Sequence, residues 1–175
     1  DFESKGHVLI KSCCTDETIS LINFINSLQI NFGKDFYYSL LSNSYSTNCH
    51  IAKNIETILS SINKKLFLNY KNRNESFLVK TANDNNELFL HQDWCYTDVN
   101  HFETATFWLP LTNTNGSKGG LFAVPRSHKF FDNYISGNIF TSRIATSELP
   151  ADCVDYLETE LGDVIVFNPA IFHGS

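Results

Sequence analysis

The chain has 175 residues, 42% of them hydrophobic, and a formal net charge of −6. That length and apolar content suffice for one domain with a buried core. The acidic balance, without a strongly basic window, argues against a phosphate-tracking nucleic-acid binder, and neither a membrane span nor a signal-peptide pattern is present.

The chain starts at Asp1 and has no Met, so it reads as processed or trimmed, with a lost targeting segment left open. Cys13, Cys14, Cys49, Cys95 and Cys153 form an odd set without CxxC spacing. That disfavours a disulfide framework or zinc ribbon and points to a reducing, cytoplasmic compartment.

In chain order, Gly6 to Lys11 reads as an opening strand. Thr15 is expected to cap a helix whose first turn carries Asp16 and Glu17. Thr18, Leu21, Ile22, Ile25 and Leu28 form its apolar stripe. A second helix is expected from about Asn48 to Asn63, with Ile51, Ile55, Ile58, Leu59 and Ile62 facing the core. From Leu66 the pattern changes to short apolar or alternating runs at 66–70, 76–81, 87–93, 104–111, 120–125 and 163–169. Turn signals separate them, among them 72–74, 83–86, 113–120 and Gly162-Asp163. The expected fold is mainly β with flanking helices, a double-sheet jelly roll. It forms a single domain over 1–175, helical to about 64 and jelly roll from about 65.

The chemistry concentrates in LHQDWCYTD, 90–98. On a strand, His91 and Asp93 stand at i and i+2 and project from one face. An HxD triplet alone is weak evidence for a metal. The run GDVIVFNPAIFHGS, 162–175, supplies a second histidine, His173, after an apolar strand and a turn at Asn168-Pro169. Alone, His173 reads as an interior histidine. The two segments together match a 2-His-1-carboxylate facial triad, which leaves metal positions open for substrate and dioxygen and suits non-haem Fe(II).

These two segments, with FWLPLTNTNGSKGGLFAVPRSHK at 107–129, resemble the phytanoyl-CoA dioxygenase family of Fe(II)/2-oxoglutarate oxygenases. The opening GHVLIKSCCTDETISLINFI resembles it less specifically. The resemblance implies a double-stranded β-helix, cupin-like core, with His91, Asp93 and His173 as metal ligands. It places Lys80 and Ser175 at co-substrate positions and Trp108 near the co-substrate, although an exposed lysine and a core tryptophan are the plain alternatives. The implied cofactors are Fe(II), 2-oxoglutarate and dioxygen. The implied reaction hydroxylates a small organic molecule and releases succinate and carbon dioxide. Asp93 favours hydroxylation over halogenation, because halogenating relatives replace that carboxylate with a small residue.

Two departures from the family pattern stand out. The arginine that such relatives carry shortly after His-Gly-Ser, to pair with the 2-oxoglutarate carboxylate, would fall past Ser175, so either the chain is cut short, which is the expectation, or the pocket lacks its main counter-charge. In VPRSHK, 124–129, Arg126 replaces a glycine that serves a turn. Arg126 is either an anion-pairing residue at the site mouth or a surface arginine, and His128 is read as structural. The alternatives are a non-catalytic jelly-roll binding domain that has lost 2-oxoglutarate capture, and a cupin-like metalloenzyme without that co-substrate. Substrate identity and oligomeric state have no readable pattern, and the loops at 31–49 and 130–149 are expected to select the substrate.

Overall fold

A computed structural model describes residues 2–32, 36–81, 87–93, 98, 101–130 and 146–175. The chain divides into two compact units, Cys14–Asn86 and a second formed by Asp1–Cys13 with Glu87–Ser175. The opening residues 1–13 thus group with the C-terminal segment. Among the described residues no helix is long and apolar enough to cross a membrane.

In the unit Cys14–Asn86, α2 (Thr15–Ser27) and α3 (Tyr45–Leu66) pack together. Thr18, Leu21 and Ile25 are buried on α2, and Ile51, Ile55, Leu59 and Ile62 on α3, so both stripes face a core as their spacing requires. The cap expected at Thr15 sits one residue earlier, at Cys14, which makes no side-chain cap bond. Helix α3 starts before the expected Asn48 because Ser44 Oγ accepts from the Thr47 N–H at 3.3 Å, a local N-cap. Strands β2 (Phe36–Tyr38) and β3 (Leu78–Lys80) pair antiparallel, with Phe36 opposite Lys80. The strand expected at 66–70 does not form. Leu66 closes α3, Leu68 is 82% exposed, and Asn69 takes φ +66°, a left-handed conformation that breaks extended pairing.

The other unit opens with a helical turn, α1 (Phe2–Lys5), followed by β1 (His7–Ile10). Two antiparallel three-stranded sheets follow from its pairings. One has the order β1-β7-β4, with β4 at Thr106–Trp108 and β7 at Val164–Phe167. The other has the order β6-β5-β8, with β5 at Leu121–Ala123, β6 at Asp155–Leu157 and β8 at His173–Gly174. All four residues of β7 are buried, which its unbroken VIVF run anticipates for a strand covered on both faces. Ile165 and Phe167 from the first sheet meet Leu121, Ala123 and Leu157 from the second, together with Ile171, in one buried cluster. The turn signal at 83–86, Cys95 and most of the 130–149 loop lie outside the described residues.

Asp163, 1% exposed, anchors the start of β7. Its carboxylate accepts from the Ser12 N–H at 2.9 Å, the Glu160 N–H at 2.8 Å and the Lys11 ammonium at 2.8 Å. Burial pushes its pKa up, but the bonds from Glu160, Lys11 and Ser12 outweigh this and hold it below the ordinary carboxylate value. A depressed folded pKa gives stability that is complete above the unfolded value and is lost as pH falls through the folded one. Asp163→Ala strands two backbone donors, so urea unfolding at neutral pH should show a loss of about 3 kcal/mol. The variant should also lose less stability than the parent on acidification.

Candidate metal centre

The HxD segment is held by the C-terminal segment through backbone pairing. His91 and His173 exchange both N–H···O bonds at 2.9 Å, and Leu88 and Ser175 do the same at 2.8 and 3.0 Å. Between those pairs one strand inserts Phe89 and Leu90 while the other has only Gly174. This extra residue is a β-bulge, which explains why 87–93 contains no regular strand and how the His91 side chain is re-aimed. Gly174 opposes the bulge closely: an added Cβ would lie 2.4 Å from the Leu88 carbonyl oxygen and 2.5 Å from the Phe122 ring. Further along, the Asp93 N–H donates to Pro169 O at 3.0 Å, and Gln92 Nε2 donates to Ala170 O at 2.6 Å. The turn leading to His173 is pinned from the segment after β5 as well. Val124 N–H donates to Phe172 O, and Phe172 N–H donates to Ser127 Oγ, each at 2.8 Å.

These constraints bring His91, Asp93 and His173 together, with one possible ligand atom from each lying within 4.8 Å of the others. The two imidazole centroids are 4.3 Å apart, and the Phe167 ring lies 4.6 Å from that of His173. His91 Nδ1 lies 2.7 Å from Phe89 O, and His173 Nδ1 lies 3.0 Å from Ile171 O. A carbonyl only accepts, so each Nδ1 carries the proton and each Nε2 is left for a ligand. Asp93 Oδ1 sits 3.4 Å from His173 Nε2, while Oδ2 accepts from Thr106 Oγ1 at 2.5 Å.

Burial and neighbouring charge act differently on the two imidazoles. Burial, helped by the neighbouring His173, pushes His91 down to about 4 and keeps its ring neutral at physiological pH. Burial also opposes charge on His173, but the Asp93 carboxylate beside its Nε2 outweighs that and raises its pKa. Asp93 is likewise lowered despite burial, through His173 and Thr106.

The remaining candidate residues are placed differently. Trp108 shares a β4 face with Thr106, stands opposite Ile165 in register, and packs on the buried cluster. Ser175 continues the pairing two positions beyond His173. Lys80 ends β3 in the other unit. Arg126 is exposed and takes φ +69° and ψ −4°, with its N–H bonded to Lys5 O at 2.8 Å. It therefore occupies the left-handed conformation that a glycine would adopt without strain. His128, beside Gly6, places Nε2 3.3 Å from Glu3 O and lies outside the triad, as a structural histidine would. Thr106 is the site residue that the sequence did not reveal; its signal was a polar side chain two positions from Trp108 in a strand of the core.

A family model described as phytanoyl-CoA dioxygenase matches residues 29–175. No curated protein sequence is similar enough to count as a match. Among solved structures, HygX from Streptomyces hygroscopicus with nickel, 2-oxoglutarate and hygromycin B bound is similar at TM-score 0.59 and 18% identity, covering 99% of this chain and 77% of that one. The epimerase SnoN in complex with Fe3+, alpha-ketoglutarate and nogalamycin RO is similar at TM-score 0.54 and 16% identity, covering 99% and 73%. The carbocyclase SnoK from nogalamycin biosynthesis is similar at TM-score 0.52 and 13% identity, covering 99% and 74%.

Two substitutions test the framework. Arg126→Gly should raise stability by about 1 kcal/mol, because it removes a side chain from a left-handed position. Gly174→Ala should lower the unfolding midpoint, with a cost of about 2 kcal/mol or more for a clash with backbone, and should weaken metal binding alongside.

Proposed function

Because the chain belongs to the phytanoyl-CoA dioxygenase family, we propose that it is an iron(II)- and 2-oxoglutarate-dependent dioxygenase that hydroxylates a small organic substrate. The observation that carries this reading is the convergence of His91, Asp93 and His173 within 4.8 Å. The donor set fits the metal. Two neutral-capable imidazole nitrogens and one carboxylate oxygen suit Fe(II), and three ligands leave positions open. Bound iron would supply dioxygen activation coupled to oxidative decarboxylation of 2-oxoglutarate, giving succinate and carbon dioxide.

The protein's part is to hold the three ligands and orient what binds beside them. Phe89 O and Ile171 O keep the imidazoles turned with Nε2 available. We assign Ser175, two residues after His173, and Trp108, on the strand that carries Thr106, to the 2-oxoglutarate side of the site. Arg126, exposed on its turn, is assigned to an anionic group of the substrate. We read the two antiparallel sheets as halves of a double-stranded β-helix within a single oxygenase domain spanning 1–175, acting in the cytoplasm.

Incubation with Fe(II), ascorbate, 2-oxoglutarate and dioxygen should release succinate, and His173→Ala should cut that release by at least about 100-fold. Under anaerobic conditions, 2-oxoglutarate should change the visible absorption of the Fe(II) protein and leave that of His173→Ala unchanged. A parent chain that forms no succinate and shows no such spectral change would rule the reading out. Once a substrate is found, a mass gain of one oxygen atom marks hydroxylation. An unchanged mass points to epimerisation, and a loss of two hydrogens to ring closure.

A further inference from the structure

A carboxylate with both oxygens unengaged can chelate a cation through the two together, using up one more coordination position than a single oxygen does. Asp93 is not in that condition. Its Oδ2 accepts a 2.5 Å bond from Thr106 Oγ1, while Oδ1 faces His173 Nε2 at 3.4 Å. An ionised carboxylate only accepts, so the one hydroxyl proton of Thr106 is committed to Oδ2. The donor is itself fixed in place. Thr106 lies on β4 opposite Phe167 of β7, and the Phe167 ring lies 4.6 Å from that of His173. Its β-branched side chain has few rotamers with which to swing the hydroxyl away. One strand pair therefore sets both the orientation of the carboxylate and the wall behind the distal imidazole.

We propose that Thr106 is a positioning residue that makes Asp93 a one-oxygen ligand, keeping open the metal positions needed by co-substrate and dioxygen. This rests on the metal reading above and extends it to a residue outside the ligand set.

The test uses the full metal-free chain, with Mn(II) for affinity and Co(II) for its visible spectrum. Thr106→Val keeps the shape and removes the hydroxyl; Thr106→Ser keeps the hydroxyl and removes the methyl. The valine variant should bind Mn(II) about 10- to 100-fold more weakly, as loss of a ligand-orienting bond predicts. At saturation its Co(II) spectrum should differ in band position and intensity from that of the parent, a change that packing alone would not produce. The serine variant should bind within about threefold of the parent, since the orienting hydrogen bond survives, with the parental Co(II) spectrum. If valine at this position prevents folding, Thr106→Ala is read in its place with the same expectations. Parental affinity and spectrum in the hydroxyl-free variant, or equal impairment of the serine variant, would overturn the assignment. If His173→Ala nonetheless abolishes Mn(II) binding, the metal centre survives that result. A parent chain that binds no Mn(II) would remove both.

Discussion

The two backbone hydrogen bonds exchanged between His91 and His173 are the constraint on which the site depends. They fix the two histidines, one from each end of 87–175, at the same level of one strand pair, before any side chain is considered. The bulge at Phe89 and Leu90 then turns His91 so that its Nδ1 meets a carbonyl two residues back, and His173 repeats that local pattern with Ile171. Gly174 is part of the same arrangement, since only a residue without Cβ leaves room for the Leu88 carbonyl. Gln92, between the two ligands, clamps the segment to the turn at Ala170. Each of these contacts costs conformational entropy, and together they leave the three ligand side chains little freedom to rearrange.

A polar cluster of this kind is expensive inside a sandwich unless its atoms are satisfied. Around the triad they are. Both Nδ1 atoms have carbonyl acceptors, Asp93 Oδ2 has a hydroxyl donor, and Oδ1 faces an imidazole whose charge it stabilises. On the histidine side the surroundings are apolar, with Phe167 against His173 and Ile165 and Ile171 fully buried, which strengthens those interactions. The same unit places a second histidine–carboxylate contact between its sheets, His7 to Asp155 at 3.1 Å, with Lys5 also on Asp155 at 3.6 Å. There burial is the larger influence and lowers the His7 pKa, against the pull of Asp155. Nearly identical residue types thus act differently according to whether burial or the neighbouring carboxylate prevails.

Much of the site was legible as pattern. The HxD triplet and the histidine after an apolar run picked out three residues that the structure brings within 4.8 Å of one another, because metal geometry restricts which residue types can serve. The glycine-like role of position 126 was also readable, and its φ of +69° bears that out. Local pattern failed where neighbours decide. LFLNY has strand composition, yet its first residue belongs to α3 and Asn69 turns left-handed. Strand β6, Asp155–Leu157, carried no strong alternation and exists through its pairing with β5. Thr106 looked like any strand threonine until its hydroxyl was seen on Asp93.

By itself, then, the sequence determined the candidate donor residues, the two amphipathic helices and the central β7 run, since each is read from residue type and local spacing. The tertiary structure alone decided the bulge that aims His91, the hydroxyl on Asp93 and the grouping of β1 with the C-terminal unit. Those depend on which distant strands pair and in what register, and pairing energy comes from side chains and backbone groups far apart in the chain.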